Sequence, residues 1–156
     1  MQPLLLGKIP SGRGTADVFV TIAGNDGPLM RVDLYREPGS PCFQQDALAW
    51  GECIFVGFGE AVFVIDPRRK AGSRVELESY FDRFYSTPDY LLVTSGVGIS
   101  RLSPTGEVLW SSQRLALDGV IVSSVNDGII FGDGEWDPPS SWRPFRVLLD
   151  SGALVG

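Results

Sequence analysis

Four short apolar runs recur at a nearly constant interval, and that interval limits what the chain can fold into more than any other feature. Val18-Phe19-Val20-Thr21, Ile54-Phe55-Val56-Gly57, Leu91-Leu92-Val93-Thr94 and Ile129-Ile130-Phe131-Gly132 start 36, 37 and 38 residues apart. Spacing in this range marks repeat architectures, in which one supersecondary unit is copied along the chain. Each run is β-branched or aromatic and is bounded by turn residues, which predicts four buried strands.

The residues after each run recur as well. Gly57-Phe58-Gly59, Gly96-Val97-Gly98 and Gly132-Asp133-Gly134 form three G-x-G turns, and Gly24-Asn25-Asp26-Gly27 stands in the matching place of the first unit. The expected role of these glycines is positive φ in tight hairpins. No helix follows them, so a phosphate-cradling loop is not indicated. A second strand then returns: Leu29–Leu34, Ala61–Ile65, Ile99–Leu102 and Phe145–Leu149. The third unit continues through Ser103-Pro104-Thr105-Gly106 into Glu107-Val108-Leu109-Trp110.

A strand is also expected before each core run. Gly119–Ser124 leads through Asn126-Asp127-Gly128 to the fourth run, Phe81–Ser86 through Pro88-Asp89 to the third, and Leu48–Trp50 through Gly51-Glu52 to the second. In the first unit the candidate is Pro3 to Ile9, with a longer connection through Ser11-Gly12-Arg13-Gly14. Each unit thus reads as a four-stranded up-and-down meander. Leu77, Tyr80, Phe81, Phe84 and Tyr85 also fall at helical spacing, which leaves one helical turn open there.

Stacked around an axis, four units of about 37 residues would make a propeller-like array with few exposed edges. The expectation is one all-β repeat domain over residues 1–156. The alternatives are an irregular β-sandwich and an open half-propeller closed by a second molecule.

The segment Ser103-Pro104-Thr105-Gly106-Glu107-Val108-Leu109-Trp110, preceded by a strand and a G-x-G turn, resembles the blade signature of quinoprotein-type β-propellers. The resemblance implies blade architecture; it implies no quinone cofactor, because the tryptophan stands only in the third unit and the blades are fewer. The stretch Gly134-Glu135-Trp136-Asp137-Pro138-Pro139-Ser140-Ser141-Trp142-Arg143-Pro144-Phe145 is similar to a segment of small bacterial proteins with no assigned activity, and carries over no catalytic residue.

Composition narrows the chemistry. The chain has no histidine, which removes Ser-His-Asp and Cys-His catalysis and any imidazole metal site. Its formal charge is −6, and its largest cationic cluster is Arg68-Arg69-Lys70, expected in a turn, so nucleic acid is not an expected partner. Cys42 and Cys53 fit no zinc spacing, and Cys53 is expected to pack as a small hydrophobe. Leu4-Leu5-Leu6 is too short for a signal-peptide core, and no run is long enough to cross a membrane. A cytoplasmic protein with no cofactor and no membrane partner is expected.

The fourth unit departs from the rule. Its two strands are expected to be separated by roughly ten residues, Asp133 to Pro144, carrying Trp136, Trp142, Arg143 and the acids Asp133, Glu135 and Asp137. Departures from a repeat concentrate on binding faces. Three readings follow: both tryptophans plug the core with Arg143 paired to Asp137 or Glu135; the six residues form a recognition patch; or the carboxylates form a glycosidase-like or calcium site. The leading expectation is a non-catalytic interaction module meeting a protein partner or its own copy, with neutralisation of a basic partner as one role. A carboxylate-dependent glycoside hydrolase and a purely structural self-assembling domain are the rivals. Asp127 and Asp118 are expected to bond their own backbones in turns, and Tyr80, Phe81, Phe84, Tyr85 and Tyr90 to be core.

Overall fold

A computed structural model describes residues 2–11 and 14–156; Gly12 and Arg13, within the first expected connection, lie outside the described residues. The described chain holds fourteen strands and no helix. They are β1 (Leu4–Gly7), β2 (Val18–Gly24), β3 (Gly27–Tyr35), β4 (Gln45–Trp50), β5 (Cys53–Phe58), β6 (Ala61–Asp66) and β7 (Ala71–Glu76). The second half supplies β8 (Phe81–Thr87), β9 (Tyr90–Ser95), β10 (Ile99–Leu102), β11 (Val108–Ser111), β12 (Val120–Asn126), β13 (Ile129–Asp137) and β14 (Ser141–Leu148). The possible helical turn before Tyr85 is absent, since Phe81 already begins β8.

These strands form four sheets in chain order: β1-β3-β2, β4-β5-β6-β7, β8-β9-β10-β11 and β12-β13-β14. The second and third are the four-stranded meanders expected from the sequence. The other two are corrections. In the fourth sheet only three strands are regular, and the C-terminal residues flank β14 through Leu148 N to Ala153 O and Val155 N to Arg146 O. In the first sheet β1 pairs with β3 rather than with the Val18 run, and the pairing is parallel. The Val18 run therefore sits at the sheet edge in β2, half-exposed, and Met30–Leu34 takes the central place.

Sheet-on-sheet packing makes three cores. Val32 and Leu34 of the first sheet meet Val56, Phe63 and Ile65 of the second. On the opposite face of that sheet Phe55, Val62 and Val64 meet Phe81, Leu91 and Val93 of the third. The third sheet then turns Leu92 and Ile99 towards Val120, Ile130, Phe145 and Val147 of the fourth. Successive strand residues point to opposite faces, so neighbours such as Leu91 and Leu92 serve different cores. Among the described residues no buried cluster joins the fourth sheet back to the first.

Hydrogen bonds pin the joints. Trp50 Nε1 donates to Thr87 O across the second and third sheets at 2.7 Å. Across the third and fourth, Trp110 Nε1 and Arg101 Nη1 both donate to Leu149 O, at 2.8 and 3.0 Å. The β12–β13 turn has Asp127 at φ 51° and Gly128 at φ 73°, the paired left-handed residues of a tight hairpin. The G-x-G glycines behave differently from expectation: only Gly59 has positive φ, while Gly57 and Gly132 lie inside strands. Their lack of a side chain seats an aromatic ring, Phe81 on Gly57 and Phe145 on Gly132.

Candidate functional site

The stretch expected to be a long loop is strand. β13 runs on to Asp137 and β14 begins at Ser141, so only Pro138 to Ser140 connect them. Successive residues of β13 alternate in direction: Ile130 faces the core with Gly132 and Gly134 on its side, while Phe131, Asp133 and Glu135 lie on the other, where Glu135 is nonetheless buried. A side chain at Gly134 would collide with Leu115 O, so this glycine lets the connection before β12 lie against β13. The two prolines lack N–H groups and end the ladder. Ser140 N closes the turn on Asp137 O at 3.1 Å.

The six predicted residues are thereby sorted. Glu135 is directly opposite Trp142, Gly134 opposite Arg143, and Asp133 opposite Pro144. Trp136 sits at the register shift between Glu135 and Asp137. Arg143 lies over the Trp136 ring at 5.9 Å from its centre, a cation–π contact. The plug reading is not what the structure shows. Arg143 forms no ion pair with Glu135 or Asp137 among the described residues. Neither tryptophan joins any of the three cores, and Trp142 keeps 41% of its surface exposed.

Glu135 is the positioning element. Its carbonyl accepts from Leu117 N at 2.8 Å and Asp118 N at 3.2 Å, and its N–H donates to Gly119 O at 2.9 Å. These bonds hold residues 117–119 beside β13. The Trp142 ring then lies over Gly119, where an added Cβ would be 3.3 Å from it.

The same connection brings in residues the sequence had placed elsewhere. Asp118 does not bond its own backbone; its Oδ1 accepts from Tyr80 Oη at 2.7 Å. Burial, then the Asp118, Asp82 and Glu135 carboxylates, hold the Tyr80 proton well above the usual phenol range. Asp82, at the register shift in β8, has its own carboxyl pushed up by burial, with Arg83 opposing. Phe43 meets Tyr80 edge-on at 4.9 Å and is 70% exposed. The expected aromatic core cluster therefore splits: Phe81, Phe84, Tyr85 and Tyr90 pack into cores, and Tyr80 stands on this rim. Spacing alone carried no signal for that division.

The result is a continuous rim of Phe43, Tyr80, Asp118 and Trp142, backed by Glu135. Two aromatic rings are open to solvent, with the Asp118 carboxylate on the rim and Arg143 following Trp142 in β14. Among the described residues no group of three or more His, Cys, Asp or Glu is placed to hold a metal ion.

A groove of about 650 Å³ lies elsewhere, between the β4–β5, β6–β7 and β10–β11 turns. Its cations are already paired, Arg68 with Glu52 at 3.2 Å and Arg69 with Asp66 at 3.7 Å. Cys53 in its wall is buried as expected. Burial and then the Asp66 and Glu52 charges raise its thiol, which disfavours a thiolate nucleophile. No described helix is long and apolar enough to cross a membrane. No family model matches the chain, and no curated protein matches it significantly.

Proposed function

We propose that the chain is a non-catalytic protein-interaction module that binds a basic partner on the rim around Trp142, with its four sheets acting as blades of an open, propeller-like repeat array. The observation that carries this reading is Trp142 itself: a large ring fixed over Gly119, outside every core, and exposed. Tryptophan and arginine dominate the energy of protein interfaces when they are seated on rigid elements. Asp133, Glu135, Trp136, Asp137, Trp142 and Arg143 all belong to one hairpin and supply both residue types with carboxylates around them. The charge of −6 favours fast encounter with a cationic surface. Self-association is the other partner class compatible with an open array.

The test is capture from an extract of the source cells, comparing the native chain with Trp142→Ala combined with Arg143→Ala. The double variant is expected to lose the captured basic protein while its melting temperature moves by only about 2 °C, the scale of a surface change near 0.5 kcal/mol. A fall of many degrees would return both residues to a packing role.

A further inference from the structure

The four-sheet series leaves two faces that each lack the sheet every internal face has, one on the first sheet and one on the fourth. We propose that a second copy of the chain fills both, the outward face of each first sheet seating on the outward face of the other copy's fourth sheet, so that two chains close one ring. The inference rests on the open-array reading above and shares Asp133 with the hairpin named there, but it does not need the basic partner.

The internal joints supply the geometry. Three times along the chain the onward face of one sheet packs on the backward face of the next. A second copy placed head to tail presents the same two kinds of face in the same order. Contact between copies therefore continues a packing mode the chain already uses.

The chemistry of the two faces agrees. A sheet that ends an array in water should show polar residues outward. On the first sheet the outward row is Leu5, Asp33 and Phe19, and Phe19 is 59% exposed. Arg31 stands 4.4 Å over the Phe19 ring and 2.7 Å from Asp33. Asp33 and Tyr35 on this face are themselves buried, and the Tyr35 hydroxyl donates to Gly14 O, so the open part of the face is at Phe19 and Arg31. On the fourth sheet Ile121 is 44% exposed beside Asp133, and Phe131 pairs with Arg146. A groove of about 560 Å³ opens there, walled by Phe131, Asp133, Pro144, Arg146 and Leu154. One face offers an aromatic knob and the other an aromatic-floored groove. On the first sheet Arg31 and Asp33 neutralise each other, so the aromatic contact and not charge pairing carries the joint.

The area suffices. Three strands of about seven residues span roughly 14 by 23 Å. Two such joints, counted on both copies, bury on the order of 1,300 Å², within the range of stable interfaces. Because the joint is heterologous it must either close or run on as a filament, and two copies are the smallest closed set.

Sedimentation of the full chain over a wide concentration range tests this. The expected species has twice the 16.9 kDa chain mass and does not grow further. Phe19→Asp and Ile121→Asp, each alone, are expected to weaken the dimer at least tenfold with circular dichroism unchanged. An equimolar mixture of the two variants retains one intact joint and should recover part of the association. A monomer at every concentration overturns the proposal, as does a species that grows with concentration. Loss in only one of the two variants would also overturn it, because that marks a symmetric contact through a single face.

Discussion

The two middle sheets and the two end sheets are made of the same kinds of strand and differ in how many of their faces are covered. In β5 and β6 every residue is buried except Ile54 and Asp66, because each of these strands serves a core on both sides. In β2, β12 and β14 burial alternates along the strand. A run such as Ala61-Val62-Phe63-Val64-Ile65 is therefore a record of two neighbours, and an alternating run such as Phe145-Arg146-Val147 a record of one.

The difference can be broken at the joint between the two middle sheets. Phe81 is fully buried, seated on Gly57 and 4.8 Å from the Phe84 ring. Phe81→Ala is expected to cost about 3–5 kcal/mol of unfolding free energy, measured by urea denaturation. A loss below about 1 kcal/mol would mean that this joint is no tighter than an end face. The joint to the fourth sheet should yield a smaller number. Trp110→Phe keeps most of the apolar ring and removes one of the two bonds to Leu149 O, so about 1–2 kcal/mol is expected in the same assay. A loss equal to that of Phe81→Ala would erase the distinction between the joints.

Much of this architecture was legible in the residues. The second and third sheets follow from their apolar runs and turn residues, and the hairpin at Asp127-Gly128 follows from the demand for two left-handed residues. What could not be read was long-range pairing. Leu4-Leu5-Leu6 announces a strand, yet nothing in three leucines states that its partner is β3 or that it runs parallel. Val18–Thr21 matches the other runs in residue type, but its edge place is set by β1 arriving on the far side of β3. The candidate site divides in the same way. Its six hairpin residues stood out because they broke an interval, whereas Tyr80, Asp118 and Phe43 reach it from three connections that only packing brings together. The G-x-G glycines illustrate the limit, since one residue type serves a turn at Gly59 and a ring seat at Gly57.

The rim should differ from the joints in its response to pH, and this is the smallest effect of the three. The apolar cores contain few ionisable groups, while the Tyr80–Asp118 bond depends on a proton that folding holds more tightly than the unfolded chain does. A raised folded-state pKa gives stability that is fully present below the unfolded value, about 10 for tyrosine, and is lost as pH rises through the folded value. Other tyrosines also ionise in that window, so the useful quantity is the difference between the native chain and Tyr80→Phe. That difference should be constant between neutral pH and about pH 10 and shrink above it, as followed by denaturant melts at stepped pH. Tyr80 is partly exposed and solvent screens its bond, so a gap well below that of Trp110→Phe is expected. A gap that persists unchanged into strong alkali would show that the Tyr80 ring, through its contacts with Phe43 and Gly96, stabilises the rim and that the hydroxyl does not.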